Sequence, residues 1–448
     1  MWLDVVRRMR ILSLTPGTGG TFYCQNCLRD GQMVRGLRRR GHDVIVVPLY
    51  LPILLDSEGL DNGTGVFFGG VNVFLQQNLG IFRNTPRWLD KMLDSSWMLR
   101  RAAAREGSTR ARDLAPMTYS MLQGRDGRQR KELHRFIEWL QGEPKPDLVH
   151  ISNALLLGLA GEIRERLKVP IVCSLQDEDT WIDAMDPVWR DRCWNIIAEK
   201  ARDVNLFVAV SKWYASKMAE RARIPMDRMR VVPLGTEWDR CDPSPLDADP
   251  PVLGFLSRIH PALGFSELVD AFIELKKDPR LARLKLRATG GVTHGDRHFV
   301  DHVYEKLRAA GVADDVEIVE DFTKAGRQQF LRTLSVLSAP APQGEAFGFF
   351  VLEAGACGVP VVQPDAGAFR EVVEMTGGGI VYDPRDETAL VESLKSVLLD
   401  RELARRLGRA GHAAVHEKFT ADAMAANIAA VFHELVPGHE FPAEIAKV

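Results

Sequence analysis

Two glutamates in the stretch QGEAFGFFVLEAGACGVPVV, residues 343–362, carry the strongest chemical signal in the chain. Glu345 and Glu353 lie eight residues apart, with Gly348 between them at a point where a helix can open. A helix starting there, after a strand that ends near Ala339, would aim its N-terminus into the crevice at the carboxyl ends of a parallel sheet. Free backbone N–H groups and partial positive charge at such an end suit a phosphate. Glu345, ahead of the helix, could accept hydrogen bonds from sugar hydroxyls, and Glu353, two turns in, could hold a ribose diol. The plainer alternative is an amphipathic helix with two solvated glutamates.

The elements that would position these groups are legible along the chain. Short β-branched runs alternate with amphipathic stretches. The first series is Arg10 to Leu14, Asp43 to Val47, Leu148 to Ile151, Ile171 to Leu175, Leu206 to Val210 and Arg230 to Val232. The second is Val252 to Leu256, Lys285 to Thr289, Val316 to Val319, Val336 to Ala339, Pro360 to Val362 and Gly379 to Val381. Near-continuous apolar strands separated by helical patterns predict an α/β protein with two Rossmann-like, doubly wound parallel-sheet halves. Between them, residues 233–251 hold five prolines and five acidic groups without periodicity, which reads as a linker.

The residues from 343 to 362, an E-x7-E block running into EAGACGVPVV, resemble the donor-site signature of the family-4 retaining glycosyltransferases, whose fold is GT-B. Other positions agree: the turn PGTGG, then GHDVIVVP, VNLFVAVSKW, VVPLGTE and GFLSRIHPALGFSELVDAF. The resemblance implies two domains facing across a cleft and a sugar moved from a nucleoside diphosphate to a hydroxyl acceptor with retained anomeric configuration. It further implies that neither a metal nor a separate cofactor takes part. By position, Gly19 and Gly20 would let the backbone approach the diphosphate, and Arg258 would ion-pair with it. Glu345 would orient the transferred sugar and Glu353 the ribose. Backbone N–H groups around Phe347, Gly348, Phe349 and Phe350 would stabilise the leaving diphosphate as its charge develops. Gln176, Asp177 and Trp181 would lie on the acceptor side. The acceptor would be a glycan, a lipid-linked glycan or a small molecule. The implied halves are residues 1–232, with a helical insertion at 79–140, and residues 252–420, which bind the donor. A helical tail, 421–448, could cross back to the first half.

Several positions depart from the family pattern. Leu263 stands where a lysine usually follows the phosphate-binding arginine by five residues, with His260 as a partial substitute. Gln176 replaces a histidine, and Leu234 and Glu237 replace an asparagine and an aspartate. These changes keep open a non-catalytic relative that binds nucleotide or glycan without transfer. A sugar-nucleotide epimerase fits the architecture but not the E-x7-E block.

Other motifs are weaker. Asp177-Glu178-Asp179 has DxD spacing for a divalent cation, though a three-residue acidic run is more often a solvated turn. Cys24 and Cys27 form a lone CxxC at the start of a helix, where a packed or capping pair is the expected reading and zinc or redox work the lesser one. Trp181, Trp189 and Trp194 could stack on a sugar ring, but such a stripe is more often core.

Composition bounds the rest. Lys plus Arg number 58 against 60 Asp plus Glu, so no global field points to nucleic acid. No apolar run approaches the ~20 residues of a membrane span, and charges at Asp4, Arg7, Arg8 and Arg10 make a poor signal peptide. Six cysteines in 448 residues do not suggest a disulfide framework, which favours a reducing, cytoplasmic setting. Residues 79–140 differ from the rest: helical spacing of Trp88, Leu89, Met92, Leu93, Trp97, Met98 and Leu99, and 13 Lys/Arg against 6 Asp/Glu from Arg83 to Arg135. A lid on the first half is the expected reading. A helix lying on an anionic membrane at the inner face is the alternative.

Overall fold

The computed structural model describes residues 8–17, 22–50, 111–238 and 241–436. Gly19, Gly20 and the 79–110 part of the insertion lie outside the described residues. The rest of the insertion forms the helices Ala111–Leu122 and Arg130–Gly142.

Two six-stranded parallel sheets organise the protein. The first contains β1 (Arg10–Thr15), β2 (Asp43–Pro48), β3 (Leu148–Ile151), β4 (Ile171–Leu175), β5 (Leu206–Ala209) and β6 (Met229–Val231), in the order β2-β1-β3-β4-β5-β6. The second contains β7 (Val252–Leu256), β8 (Lys285–Thr289), β9 (Val316–Val319), β10 (Val336–Leu337), β11 (Val361–Pro364) and β12 (Gly379–Tyr382), in the order β12-β11-β10-β7-β8-β9. Every residue of β3 and β4 is buried, as expected for strands covered by helices on both faces. In the second sheet the strand order reverses between β7 and β10. Loops leaving those two strands therefore flank the crevice where open α/β sheets bind ligands. Arg258 follows β7, and the E-x7-E stretch follows β10.

The linker is less free than its composition suggests. Trp238 and Leu246 are buried, and Cys241 is disulfide-bonded to Cys357, 116 residues away, with a Cα–Cα distance of 5.5 Å. A second crossing runs beside it: Thr236 N–H donates to the Phe419 carbonyl at 2.8 Å and Ala421 N–H to the Thr236 carbonyl at 3.0 Å. Beyond that crossing, the helix Ala421–His433 packs on the helix Gln25–Arg39 of the first half. Gly36 permits the approach, because a Cβ there would come within 2.5 Å of the Ala425 Cβ. Arg35 and Arg39 both pair with Glu237, and Arg39 also with Asp422.

The cysteines correct the sequence reading. Cys24 and Cys27 are disulfide-bonded rather than merely packed, and Cys241–Cys357 is a second bridge. Cys173 and Cys193 are buried and unbonded. A 116-residue separation carries no local signal, and only the tertiary fold brings the second pair together.

Candidate functional site

The helix Phe349–Ala356 begins after Gly348, whose φ of 84° is left-handed and whose absent Cβ would otherwise meet the Phe369 ring at 2.7 Å. No side chain of its own loop caps this helix. The cap comes from the other half: Phe349 N–H donates to Gln25 Oε1 at 2.7 Å. The same amide reaches the first glutamate, with Gln25 Nε2 donating to Glu345 Oε2 at 2.7 Å. Glu345 Oε1 is buried without a hydrogen-bond partner. Next to it, Ala346 N–H donates to Asp177 Oδ1 at 3.0 Å, and Ser211 Oγ donates to the Ala346 carbonyl at 2.7 Å. Three residues of the first half thus grip the loop ahead of the helix.

Glu353 sits deeper, with its side chain 0% exposed. Its Oε1 accepts from Arg327 Nε at 3.0 Å, and the Arg327 side chain is equally sealed. Its Oε2 accepts from the Tyr23 hydroxyl at 2.7 Å. The Arg327 guanidinium also lies 5.4 Å from the Tyr23 ring centre and 5.8 Å from that of Trp238. Tyr23 N–H donates to the Gly290 carbonyl at 2.8 Å, fixing its main chain against the loop after β8. Arg258 is held in the same neighbourhood. Its Nε and Nη2 donate to Asp296 Oδ2 at 2.9 and 2.7 Å, and the Phe22 ring centre is 5.0 Å from its guanidinium carbon. His260 stands on the other side of Asp296, at 3.9 Å. Leu263 packs against the core from a turn and is partly buried.

The side chains of Phe347, Phe349 and Phe350 are fully buried, which leaves only their backbone to face a ligand. Asp177 joins the glutamates, whereas its neighbours turn away. Glu178 accepts from Tyr214 Oη and from Ala154 N–H, and Asp179 pairs with Lys217. Glu178 and Asp179 share the Tyr214 hydroxyl, while Asp177 alone of the DED run reaches the loop ahead of the helix. Among the described residues no cluster of His, Cys, Asp or Glu is arranged to hold a metal ion. Gln176 is buried, with Oε1 accepting from Arg29 Nη1 at 3.2 Å and its backbone carbonyl accepting from Asn26 Nδ2 at 3.2 Å. Trp181 points to the helix Ala111–Leu122, donating to Thr118 Oγ1 at 3.3 Å. Trp189 lies beside Tyr119, and Trp194 Nε1 donates to Asp183 at 2.9 Å. Trp194 is buried, and Trp181 and Trp189 are partly buried against the core.

Burial pushes the Glu345 carboxyl up to about 8, helped by the nearby Asp177 charge and opposed by the Gln25 hydrogen bond. Burial likewise lifts Asp177 to about 6. Both values lie above the unfolded range, so the stability linked to these protons is complete in acid and is lost as pH rises through each folded value. Glu345→Gln removes one titrating group at constant shape. From about pH 5 to pH 9 the variant should gain on the wild type, with a slope of at most about 1.4 kcal/mol per pH unit. Urea midpoints measured across that range check it, and parallel pH profiles would mean that Glu345 is ionised throughout.

Two family models divide the chain between them. Residues 31–235 match "Glycosyl transferase 4-like domain", and residues 238–414 match "Glycosyl transferases group 1". The chain belongs to the GT-B glycosyltransferases of the GT4 type. Among curated relatives, the chain is 27% identical over 282 residues to D-inositol 3-phosphate glycosyltransferase from Nocardia farcinica, covering 58% of this chain and 61% of that one. It is 32% identical over 194 residues to phosphatidyl-myo-inositol mannosyltransferase from Mycobacterium leprae, covering 41% of this chain and 48% of that one. The chain thus spans less than two thirds of either relative. Its fold is that of Anabaena HepE, solved with UDP and glucose, at a TM-score of 0.67 and 18% identity, covering 96% of this chain and all of that one. Sucrose-phosphate synthase from Thermosynechococcus elongatus gives 0.66 at 16% identity, covering 96% and 99%.

The sequence did not single out Tyr23, Gln25, Asp296 and Arg327, which the structure places at the site. Tyr23 and Gln25 flank Cys24 just beyond the PGTGG turn, a position that offered a local signal. Arg327 and Asp296 lie in no motif.

Proposed function

We propose that the protein transfers a sugar from a nucleoside diphosphate-sugar to a hydroxyl acceptor, with retention and without a metal. One observation carries this reading: Glu345, the Phe349 N–H and Glu353 follow β10, at the strand-order reversal of the second sheet, and each bonds to Tyr23 or Gln25 of the first half. That spacing suits a sugar, a diphosphate and a ribose in turn, and Arg258 stands in the adjoining loop. The leaving diphosphate would take the helix N–H groups as charge develops on it. Attack from the same face, with the leaving phosphate accepting the acceptor's proton, needs no carboxylate nucleophile.

The test is release of nucleoside diphosphate from UDP-, GDP- and ADP-sugars, with and without acceptors, in the presence of EDTA. The acceptor panel includes inositol 3-phosphate and phosphatidylinositol, compounds carried in the relatives' names. Proton NMR of the product reads its anomeric configuration. Acceptor-dependent release with a retained anomer is expected, and inversion or a requirement for added metal would overturn the corresponding part. A second reading, binding without transfer, draws on Leu263, Gln176 and the occupied state of both glutamates. Tight nucleotide binding with no turnover on any donor would favour it.

Leu263→Lys tests the donor geometry separately. A cation restored beside Arg258 should tighten UDP binding by about 1.5–3 kcal/mol, the worth of a charge-assisted hydrogen bond. Isothermal titration reads this directly, and unchanged affinity would mean that the diphosphate lies elsewhere.

A further inference from the structure

Residues 22–27 do something that donor recognition does not require. Within this one short segment of the first half, separate groups occupy the atoms a donor would need. The Tyr23 hydroxyl is on Glu353 Oε2, while Arg327 Nε holds Oε1. Gln25 Oε1 takes the Phe349 N–H, which has a single hydrogen to give, and Gln25 Nε2 is on Glu345. Phe22 lies against the Arg258 guanidinium. The tyrosine hydroxyl thus stands where a ribose hydroxyl would, and the amide oxygen where a phosphate oxygen would. A donor and this segment compete for the same hydrogen bonds.

The disulfide sits inside this segment. Cys24, in extended conformation (φ −109°, ψ 100°), immediately precedes the helix Gln25–Arg39, and Cys27 lies in that helix's first turn. The bridge encloses Gln25 and Asn26 and abuts Tyr23. It therefore fixes the direction in which both blocking side chains leave the helix start. Cys24 is partly exposed, whereas Cys241 and Cys357 are buried, so of the two bridges this is the one nearer to solvent.

We propose that Cys24–Cys27 is a thiol–disulfide exchange site whose oxidised form holds Tyr23 and Gln25 in the donor's place, and that reduction by a dithiol opens the site to a nucleoside diphosphate. This rests on the donor reading above. In the exchange, one thiolate of the dithiol attacks Cys24 Sγ, the Sγ–Sγ bond breaks, and Cys27 leaves as a thiolate that picks up a proton. The reductant's second thiolate then attacks its own sulfur in the mixed disulfide and releases Cys24, which is protonated in turn. Two electrons and two protons pass to the protein, and the dithiol becomes a disulfide. The first turn of a helix stabilises the departing Cys27 thiolate.

The experiment is isothermal titration of the full chain with UDP, GDP and ADP. It uses the oxidised protein, the dithiothreitol-reduced protein, the Cys24→Ser/Cys27→Ser double variant, and oxidised Tyr23→Phe. The double variant keeps Cys241–Cys357 intact and so isolates the first bridge. Expected are affinities about ten- to a hundredfold tighter in the reduced, double-serine and Tyr23→Phe forms than in the oxidised wild type, from loss of one competing charge-assisted bond. Equal, tight binding by all forms would overturn the exchange site and leave the donor reading standing. Absence of binding to every form, Tyr23→Phe included, would overturn the donor reading and this inference with it. Amide exchange at Phe349 in nucleotide-free protein gives an independent measure: faster after reduction is expected, and equal protection in both redox states would sink the lock.

Discussion

Arg327→Met should lower the stability of the protein by about 3–5 kcal/mol, the cost of leaving one member of a sealed ion pair without its partner. Glu353 is wholly buried, and its remaining donor in the pair of bonds described is the neutral Tyr23 hydroxyl, whose own titration burial drives well upward. Met restores much of the volume but none of the charge. The loss is read as a shift in the urea midpoint, with Trp238 fluorescence as a local reporter because its ring faces the guanidinium. The double variant Arg327→Met/Glu353→Gln should recover most of the loss, since removing both charges together is far less costly than removing one. A single-variant loss under about 1 kcal/mol would mean that water reaches the pair.

Arg258→Ala is the largest effect expected on turnover, a fall of about 10²–10³ in kcat/KM for loss of a preorganised charge aimed at the leaving diphosphate. With Leu263 in the lysine position, the loop after β7 offers Arg258 and, more weakly, His260 as cations. The structure adds a condition that spacing could not supply. Arg258 Nε and Nη2 are bonded to Asp296, and Nη2 also to Thr293, so a phosphate would meet Nη1 or displace the carboxylate. Steady-state kinetics on the preferred donor measures the fall. A near-wild-type value would show that the diphosphate is anchored by other groups.

The strands were legible because buried parallel strands need unbroken apolar runs, which few other elements display. β3, β4 and β7 fall where those runs lie; β8 (KLRAT) and β9 (VEIV) carry charged residues within the strand, and β10 is only the two residues Val336–Leu337 of a four-residue run. The glutamates and the helix opening were legible for a similar reason: their spacing is local. Tyr23 meets Glu353 across 330 positions, and Gln25 meets Glu345 across 320, so no window of sequence could pair them. The linker shows both limits at once. Its prolines and acids marked it correctly as irregular, but nothing in its composition announced that Trp238 would be sealed beside Arg327. Gly19 and Gly20 lie outside the described residues.

The two parallel crossings at Thr236 and Thr420 bear on how the chain can be cut. The helix Ala421–His433 comes last among the described elements, yet Phe432 lies 6.0 Å ring to ring from His150 on β3, and Arg230 at the end of the first sheet pairs with Glu434. The first half is therefore discontinuous in sequence, completed only after the second half has been synthesised. A fragment ending near residue 235 would expose the apolar face of the helix Gln25–Arg39, and a fragment starting near 242 would carry an orphaned helix with nothing to cover it. Only a circular permutant that joins residues 421–436 ahead of the first strand would make the two halves separable pieces.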